Sequence, residues 1–492
     1  MDAKDPSPAP SVTAPNPAPM PVFEREHSVT LNGQAIRYLA RATWHEIREP
    51  KQGKDGEHEG EPPRAKLFAM SYTRLDVPRE GRPLLFVVNG GPGSSSVWLH
   101  LGLVGPQRVA VDDFGRTGAP PYALTPNDDS LLAEADLVFI DPIGTGLSTM
   151  HEGQKTTEFH TYQRDLDSLG EFMRAYLTRE NRWGSPKYLM GESYGSTRGA
   201  ALARQLQEKH QIHLNGVVLI SLALDFQLFS FDPVNDLPYT LFLPTYAATA
   251  WFHQRLSPAL QALPLRTLLD EVEAFAQGPY ASALLQGDRL PASLFDSIAT
   301  QLAAYSGLGV DFVKRSRLRV SDERFFKELL REQGLATARL DSRFVGFDAD
   351  DAGEKVEDDA SYSAMAGAFK AGIQQVLGAQ FGWTGEAPYH LLAPLYKSWR
   401  YNDHENKYLA TGPLLRDALH RDPHLRVYVA SGYYDLATPH AAGDHSLAHL
   451  GLRPGVRERI QVRYFEAGHM MYLQAEARRR MAEDLRRFLL PA

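Results

Sequence analysis

Apolar and polar residues alternate on both sides of Asn32-Gly33, a dipeptide that tolerates the positive φ angles of a tight hairpin turn. The stretch from 27 to 47 therefore predicts two antiparallel strands. A second pair of runs, 36–47 and 66–75, flanks a polar loop rich in Gly, Glu and Lys, so the whole segment reads as a meander at a sheet edge. The pattern changes at 84. Residues 84–88 and 137–140 are short and wholly apolar, as strands covered on both faces of a mainly parallel sheet must be. Tyr162, Leu166, Leu169, Phe172, Met173, Tyr176 and Leu177 recur at helical spacing and predict an amphipathic helix. Strands at 188–190 and 216–221 enclose a helix over 197–208. Strand and helix alternate, which argues for an α/β sheet with crossover helices. From 225 to 402 the pattern is mostly helical, with breaks at Pro233, Pro238 and Pro244. Strands at 425–430 and 460–465 and a closing helix at 475–489 then restore the alternation. The simplest account is one α/β core, in two parts at 23–224 and 403–492, interrupted by a large, mainly helical insertion or lid at 225–402.

Residues 1–22 stand apart. Seven prolines fall between Met1 and Pro21, mixed with Ala, Ser and Asp, and the segment lacks the basic start and apolar middle of a signal peptide. It predicts a disordered leader. No stretch approaches the ~20 apolar residues of a membrane span, so membrane insertion is not expected. Export to the periplasm or beyond requires that a signal once preceded this segment; a cytoplasmic location is the alternative.

The chain has 492 residues, 43 % of them hydrophobic, enough for a full core. Its formal charge of −8 and the absence of a dense Lys/Arg run speak against a nucleic-acid partner. There is no cysteine, which excludes disulfides, thiolate catalysis and cysteine-ligated metals. The acidic run at 348–359 lacks the register of a calcium loop and reads as a solvated loop. No metal or organic cofactor is expected, and oligomeric state is not legible.

The chemistry-bearing pattern is Gly191-Glu192-Ser193-Tyr194-Gly195, a G-x-S-x-G placed between a predicted strand and a predicted helix, as a nucleophile elbow requires. A serine hydroxyl becomes a useful nucleophile only when a base takes its proton, and the base is usually a histidine oriented by a carboxylate. In α/β-hydrolases these follow in the order Ser, Asp or Glu, His. Asp435 and His469 each lie just past a predicted strand end and keep that order, so Ser193, Asp435 and His469 are the candidate catalytic triad. Any one histidine among seventeen is more often structural than catalytic; it is order and position that single out His469. Acyl transfer also needs N–H donors for the developing oxyanion. The run from Asn89 through Gly90, Gly91, Pro92 and Gly93 to Ser96 follows a predicted strand and can bring backbone N–H groups close to a substrate. The N–H of Tyr194 would be the second donor.

These motifs resemble the serine carboxypeptidase family. Asn89-Gly90-Gly91-Pro92-Gly93-Ser94-Ser95-Ser96 is similar to its N-G-G-P-G-C-S-S. Asp141-Pro142-Ile143-Gly144-Thr145-Gly146-Leu147-Ser148 is similar to its D-Q-P-x-G-T-G-F-S, one residue shorter. Gly191 to Gly195 and Ala467-Gly468-His469-Met470 resemble its G-E-S-Y-[AG] and A-G-H-M. The resemblance covers the core well and the insertion poorly, and the motif cysteine is Ser94 here. It implies an α/β-hydrolase fold, oxyanion donors at Gly91 and Tyr194, and a clamp for the substrate's C-terminal carboxylate at Asn89, Gly90 and Glu192. A carboxyl can hold a carboxylate when the two share a proton, so an acidic preference is implied. The family's tryptophan two residues before the asparagine is Val87 here, and its second clamp glutamate falls at Leu103.

The expected activity is therefore serine-type carboxypeptidase hydrolysis of C-terminal peptide bonds, with peptide or protein C-termini as substrates. An esterase, amidase or acyltransferase on the same triad remains open, and so does a binding protein on a retired hydrolase fold. The aromatics Tyr239, Phe242, Tyr246, Trp251 and Phe252 read either as a wall of the substrate pocket or as a core for the lid.

Overall fold

The computed structural model describes residues 20–49 and 60–490. The leader up to residue 19 and positions 50–59 of the polar loop lie outside the described residues. Nine principal strands form the central sheet: β1 (Val22–Leu31), β2 (Gln34–Arg48), β3 (Pro63–Arg74), β4 (Leu84–Val88), β5 (Asp136–Asp141), β6 (Lys187–Glu192), β7 (Gly216–Ile220), β8 (Arg426–Gly432) and β9 (Ile460–Phe465). Their spatial order is β1-β2-β3-β5-β4-β6-β7-β8-β9, and a short strand, Thr149–Met150, pairs with β3. The first three strands are antiparallel, with Leu31 opposite Gln34 across the Asn32-Gly33 turn. From β5 to β9 every pairing is parallel. This is the α/β-hydrolase fold.

The two halves differ in burial for a simple reason. Every residue of β4, β5 and β7 is buried, because helices cover both faces. Along β4, Leu85 and Val87 enter one core while Leu84, Phe86 and Val88 enter the other. The second core is closed by α1 (Tyr162–Arg179) and α2 (Tyr194–Lys209) through Leu166, Phe172, Met173, Leu202 and Leu206. Strand β1, at the edge, is mostly exposed.

The chain between β7 and β8 does two different things. Its first part, led by α3 (Leu237–Phe252), builds a separate apolar cluster containing Phe242, Tyr246, Leu268, Phe325 and Leu329. Tyr246 stacks on Phe325 with ring centroids 4.0 Å apart, so Phe242 and Tyr246 serve the core of the insertion. Helix α4 (Ala360–Phe381) instead packs on the main core through Phe369, Ile373 and Val376. Downstream of it, short bridges tie the chain to Ser94, Gly146 and Thr161 of the sheet's loops. The acidic run between the two parts is exposed over 349–352 but anchored at its ends. Asp348 is paired with the buried Lys327, and Asp359 caps α4 by accepting from the Ser361 N–H at 3.1 Å. The closing helix, α5 (Ala475–Leu489), returns Met481, Leu485 and Phe488 to the main core.

Candidate active site

Ser193 sits between the end of β6 and the start of α2 with φ 60° and ψ −125°. A non-glycine residue in this region is strained and must be held there by its surroundings. The Ser193 N–H is fixed to the carbonyl of Ile220 at 2.9 Å. The flanking glycines are required by contact: a Cβ on Gly191 would lie 2.0 Å from the Gly195 carbonyl oxygen, and one on Gly195 would lie 2.5 Å from that of Val88. The G-x-S-x-G spacing is thus a packing requirement of the turn.

The glycine-rich loop after β4 presses directly on this elbow. A Cβ on Gly90 would lie 2.5 Å from the Tyr194 nitrogen, and Gly91 has φ +109°. Tyr194 opens α2, so its N–H has no intrahelical acceptor. The two backbone segments expected to supply oxyanion donors are therefore in contact. Three side chains hold the loop from behind. Asp141 accepts from the Ser96 N–H at 2.9 Å. Asn89 accepts from the Leu99 N–H through Oδ1 at 3.1 Å, which fixes the amide and leaves its NH2 group as a donor. Arg198, on α2, donates to the Asn89 carbonyl at 2.6 Å and to that of Gly90 at 3.2 Å. Arg198 is itself held by Asp165 of α1 through two bonds of 2.7 and 3.1 Å.

Asp435 and His469 meet. His469 Nδ1 lies 2.8 Å from Asp435 Oδ2. Asp435 also accepts from the N–H groups of Ala437 and Thr438 at 2.8 and 2.9 Å and from the Thr438 hydroxyl at 2.7 Å. The Ser221 hydroxyl, one residue past the Ile220 carbonyl that holds Ser193, donates to the His469 carbonyl at 2.6 Å. The insertion braces both loops. The His469 N–H donates to Leu340 O at 2.6 Å, the Leu436 N–H to Arg339 O at 3.1 Å, and the Ser342 N–H to Tyr434 O at 3.0 Å. Asp341 comes so close that a Cβ on Gly468 would lie 2.4 Å from its own Cβ.

Electrostatics tie Glu192 to this pair. Burial pushes the Glu192 carboxyl up to about 7. Asp435 adds to the rise, and His469, the Tyr472 hydroxyl and the Asn89 amide pull against it. Its Oε2 has no hydrogen-bond partner. Burial alone would lower His469, but the charge and hydrogen bond of Asp435, together with the charge of Glu192, hold it above the usual imidazole value. A carboxyl that keeps its proton near neutrality thus lies beside the candidate base.

Of the residues expected from the sequence, Asn89, Gly90 and Gly91 on the loop meet Glu192, Ser193 and Tyr194 at the elbow, Asp435 meets His469, and Glu192 links the two groups through its interaction with His469 and Asp435. Arg198, Asp165, Thr438 and Tyr472 were not anticipated. The first two left a trace. Asp165 shares a helical face with Tyr162, Leu169 and Phe172, and Arg198 shares one with Tyr194 and Leu202; a charge on an apolar face calls for a buried partner. Val87 and Leu103 are fully buried in the main core. Among the described residues, no group of three or more His, Asp or Glu is arranged to hold a metal ion, and no helix is long and apolar enough to cross a membrane.

Sheet order, the elbow and the positions of the strand-end loops are those of the α/β-hydrolase fold. Residues 61–227 match the serine carboxypeptidase family, and through this third of its length the chain is related to those proteins. It is 26 % identical over 167 residues to serine carboxypeptidase-like 51 of Arabidopsis thaliana, covering 32 % of this chain and 34 % of that protein. It is 32 % identical over 137 residues to the pheromone-processing carboxypeptidase KEX1 of Yarrowia lipolytica, covering 27 % and 20 %. The chain thus spans about a third or less of the curated relatives it matches. In three dimensions it resembles the prohormone-processing carboxypeptidase KEX1 of Saccharomyces cerevisiae over 90 % of both chains, with a TM-score of 0.52 and 15 % identity. The matched segment contains Asn89, Gly91, Glu192 and Ser193 but ends before Asp435 and His469.

Proposed function

We propose that the protein is a serine-type carboxypeptidase. In this reading Ser193 attacks the carbonyl of the last peptide bond while His469 takes its proton. Asp435 orients the imidazole and stabilises the imidazolium. The N–H groups of Gly91 and Tyr194 hold the oxyanion, the leaving amine departs with the proton from His469, and water resolves the acyl-enzyme.

The observation that carries the reading is Glu192. A hydrolase acting on esters has no need of a buried, protonatable carboxyl with a free oxygen next to its serine. A carboxypeptidase does, because the neutral acid donates to the substrate's terminal carboxylate, and Asn89 offers a second donor. Since Glu192 ionises near 7, binding of that carboxylate is favoured on the acid side. The substrates are then peptides or proteins with a free C-terminus.

The test compares an N-blocked hydrophobic dipeptide, its C-terminal amide and an aryl ester at pH 5 and pH 8, with Ser193→Ala as control. The expected result is cleavage of the free acid far above the amide, strongest at pH 5 and absent in the variant. Equal cleavage of acid and amide, with strong ester hydrolysis, would replace this reading by an esterase or acyltransferase. The buried, apolar Leu103 and Val87 favour that second reading.

A further inference from the structure

The residue that completes the proposed carboxylate site lies three positions after His469. Tyr472 belongs to the short helical turn Met471–Leu473. Its side chain is fully buried, yet its hydroxyl, though close to Glu192 and Asn89, makes no well-formed hydrogen bond. A buried O–H without an acceptor is rare in folded proteins and calls for an explanation. Its surroundings supply one. The hydroxyl faces both Glu192 and Asn89. Glu192 Oε2 is likewise buried and in no well-formed hydrogen bond, and the Asn89 amide has its oxygen occupied by the Leu99 N–H, which turns its NH2 group into the donor toward Glu192 and Tyr472.

Three polar groups thus converge beside Ser193, close enough to act on one another but with Tyr472 Oη and Glu192 Oε2 in no well-formed hydrogen bond. Two of them, the phenol and the amide, donate at any working pH, since burial holds the phenol well above its ordinary value. The third, Glu192, donates when protonated. Such a set matches a planar anion with two oxygens. The position has been made for the ring: a Cβ on Gly102 would lie 2.5 Å from Tyr472 Cε2. Leu103, next to Gly102 in the chain, is buried in the main core.

We propose that the Tyr472 hydroxyl donates a hydrogen bond to the terminal carboxylate of the substrate, alongside Glu192 and Asn89, and is a principal determinant of selectivity for a free C-terminus. The proposal rests on the carboxypeptidase reading.

The experiment measures the ratio of kcat/KM for the N-blocked dipeptide acid over that for its amide, in the full chain, before and after Tyr472→Phe. The phenylalanine keeps the ring over Gly102 and removes only the oxygen. A hydrogen bond to a charged group of this kind corresponds to a loss of about tenfold to a hundredfold, and the acid-to-amide ratio is expected to fall by that factor, chiefly through KM for the acid. A ratio preserved in the variant, including one in which acid and amide lose activity alike, overturns the proposal while leaving the carboxypeptidase reading intact. A wild-type ratio near one overturns both. Should Tyr472→Phe fail to fold, Gly102→Ala displaces the ring and is read in the same way: a fallen ratio supports the proposal and an unchanged one overturns it.

Discussion

Arg198 donates to the carbonyl oxygen of Asn89 at 2.6 Å, and this bond joins the helix that follows Ser193 to the loop that faces it. Arg198 lies five residues after Ser193 on the same rigid element, so its guanidinium fixes the distance between elbow and loop. It is fully buried and forked onto Asp165. A planar fork of this kind can bond a carboxylate and two carbonyls at once, which lysine cannot.

Removing the charge at either end should separate stability from catalysis. Arg198→Met leaves Asp165 buried and unpaired and is expected to cost about 3–5 kcal/mol in urea unfolding. Adding Asp165→Leu should restore much of that stability. It should not restore kcat, which is expected to remain about tenfold to a hundredfold down because the Asn89–Gly90 carbonyls have lost their donor. A double variant with wild-type kcat would show that the loop needs no such brace.

Glu192→Gln should change two limbs of the pH profile. The raised Glu192 carboxyl loses its proton near pH 7, so in the wild type KM for a free-acid dipeptide should rise above that pH. Glutamine cannot ionise, and the rise should vanish. With an aryl ester the acid limb reports the neutral fraction of His469. Where Glu192 is ionised its charge helps hold His469 up, so the part of this limb near pH 7 should move to lower pH in the variant. An acid limb that stays in place, or moves up, would mean that the two groups are not coupled.

Asp141 makes a prediction about the fold itself. Burial pushes its carboxyl to about 7, against the opposing pull of the Ser96 N–H, the Tyr389 hydroxyl and the Leu147 N–H. The folded chain therefore holds this proton after the unfolded chain has released it, from about pH 4. The stabilisation is complete below pH 4 and is lost as pH rises to about 7, by at most about 1.4 kcal/mol per pH unit. Asp141→Asn should flatten that part of the stability curve, measured as unfolding midpoint from pH 4 to 8. An equally steep decline in the variant would assign the loss to other groups.

Asp435→Asn should lower kcat by about 10⁴-fold while leaving the turn in place. The side-chain amide would present either an oxygen or an NH2 group to His469 Nδ1, and the Thr438 N–H and hydroxyl already demand acceptors there. The histidine tautomer that can take a proton from Ser193 is then disfavoured. Peptidase kinetics of the purified variant, with its melting temperature as control, check this; a loss below tenfold would remove Asp435 from the triad.

The sequence alone determined the strands, the elbow and the candidate residues, because these depend on near neighbours. Wholly apolar runs such as 84–88 can only lie between two covered faces, Asn32-Gly33 can only turn, and the glycines at 191 and 195 are needed within a few residues of themselves. Chain order then nominated Asp435 and His469. Tertiary structure alone decided how those residues are held and what surrounds them. The proton on Glu192 depends on burial among Asn89, Tyr472 and His469, which are far apart in the chain. The brace on the Asp435 and His469 loops comes from 339–342, inside the insertion whose sequence carried no recognisable motif. Nothing in the sequence near Tyr472 marks it out; only the packed structure sets its buried hydroxyl beside Glu192 and Asn89 without a well-formed hydrogen bond. Periodicity encodes which face of an element is apolar, but a side chain's dielectric surroundings and unused hydrogen bonds are set by contacts that exist only once distant segments have packed.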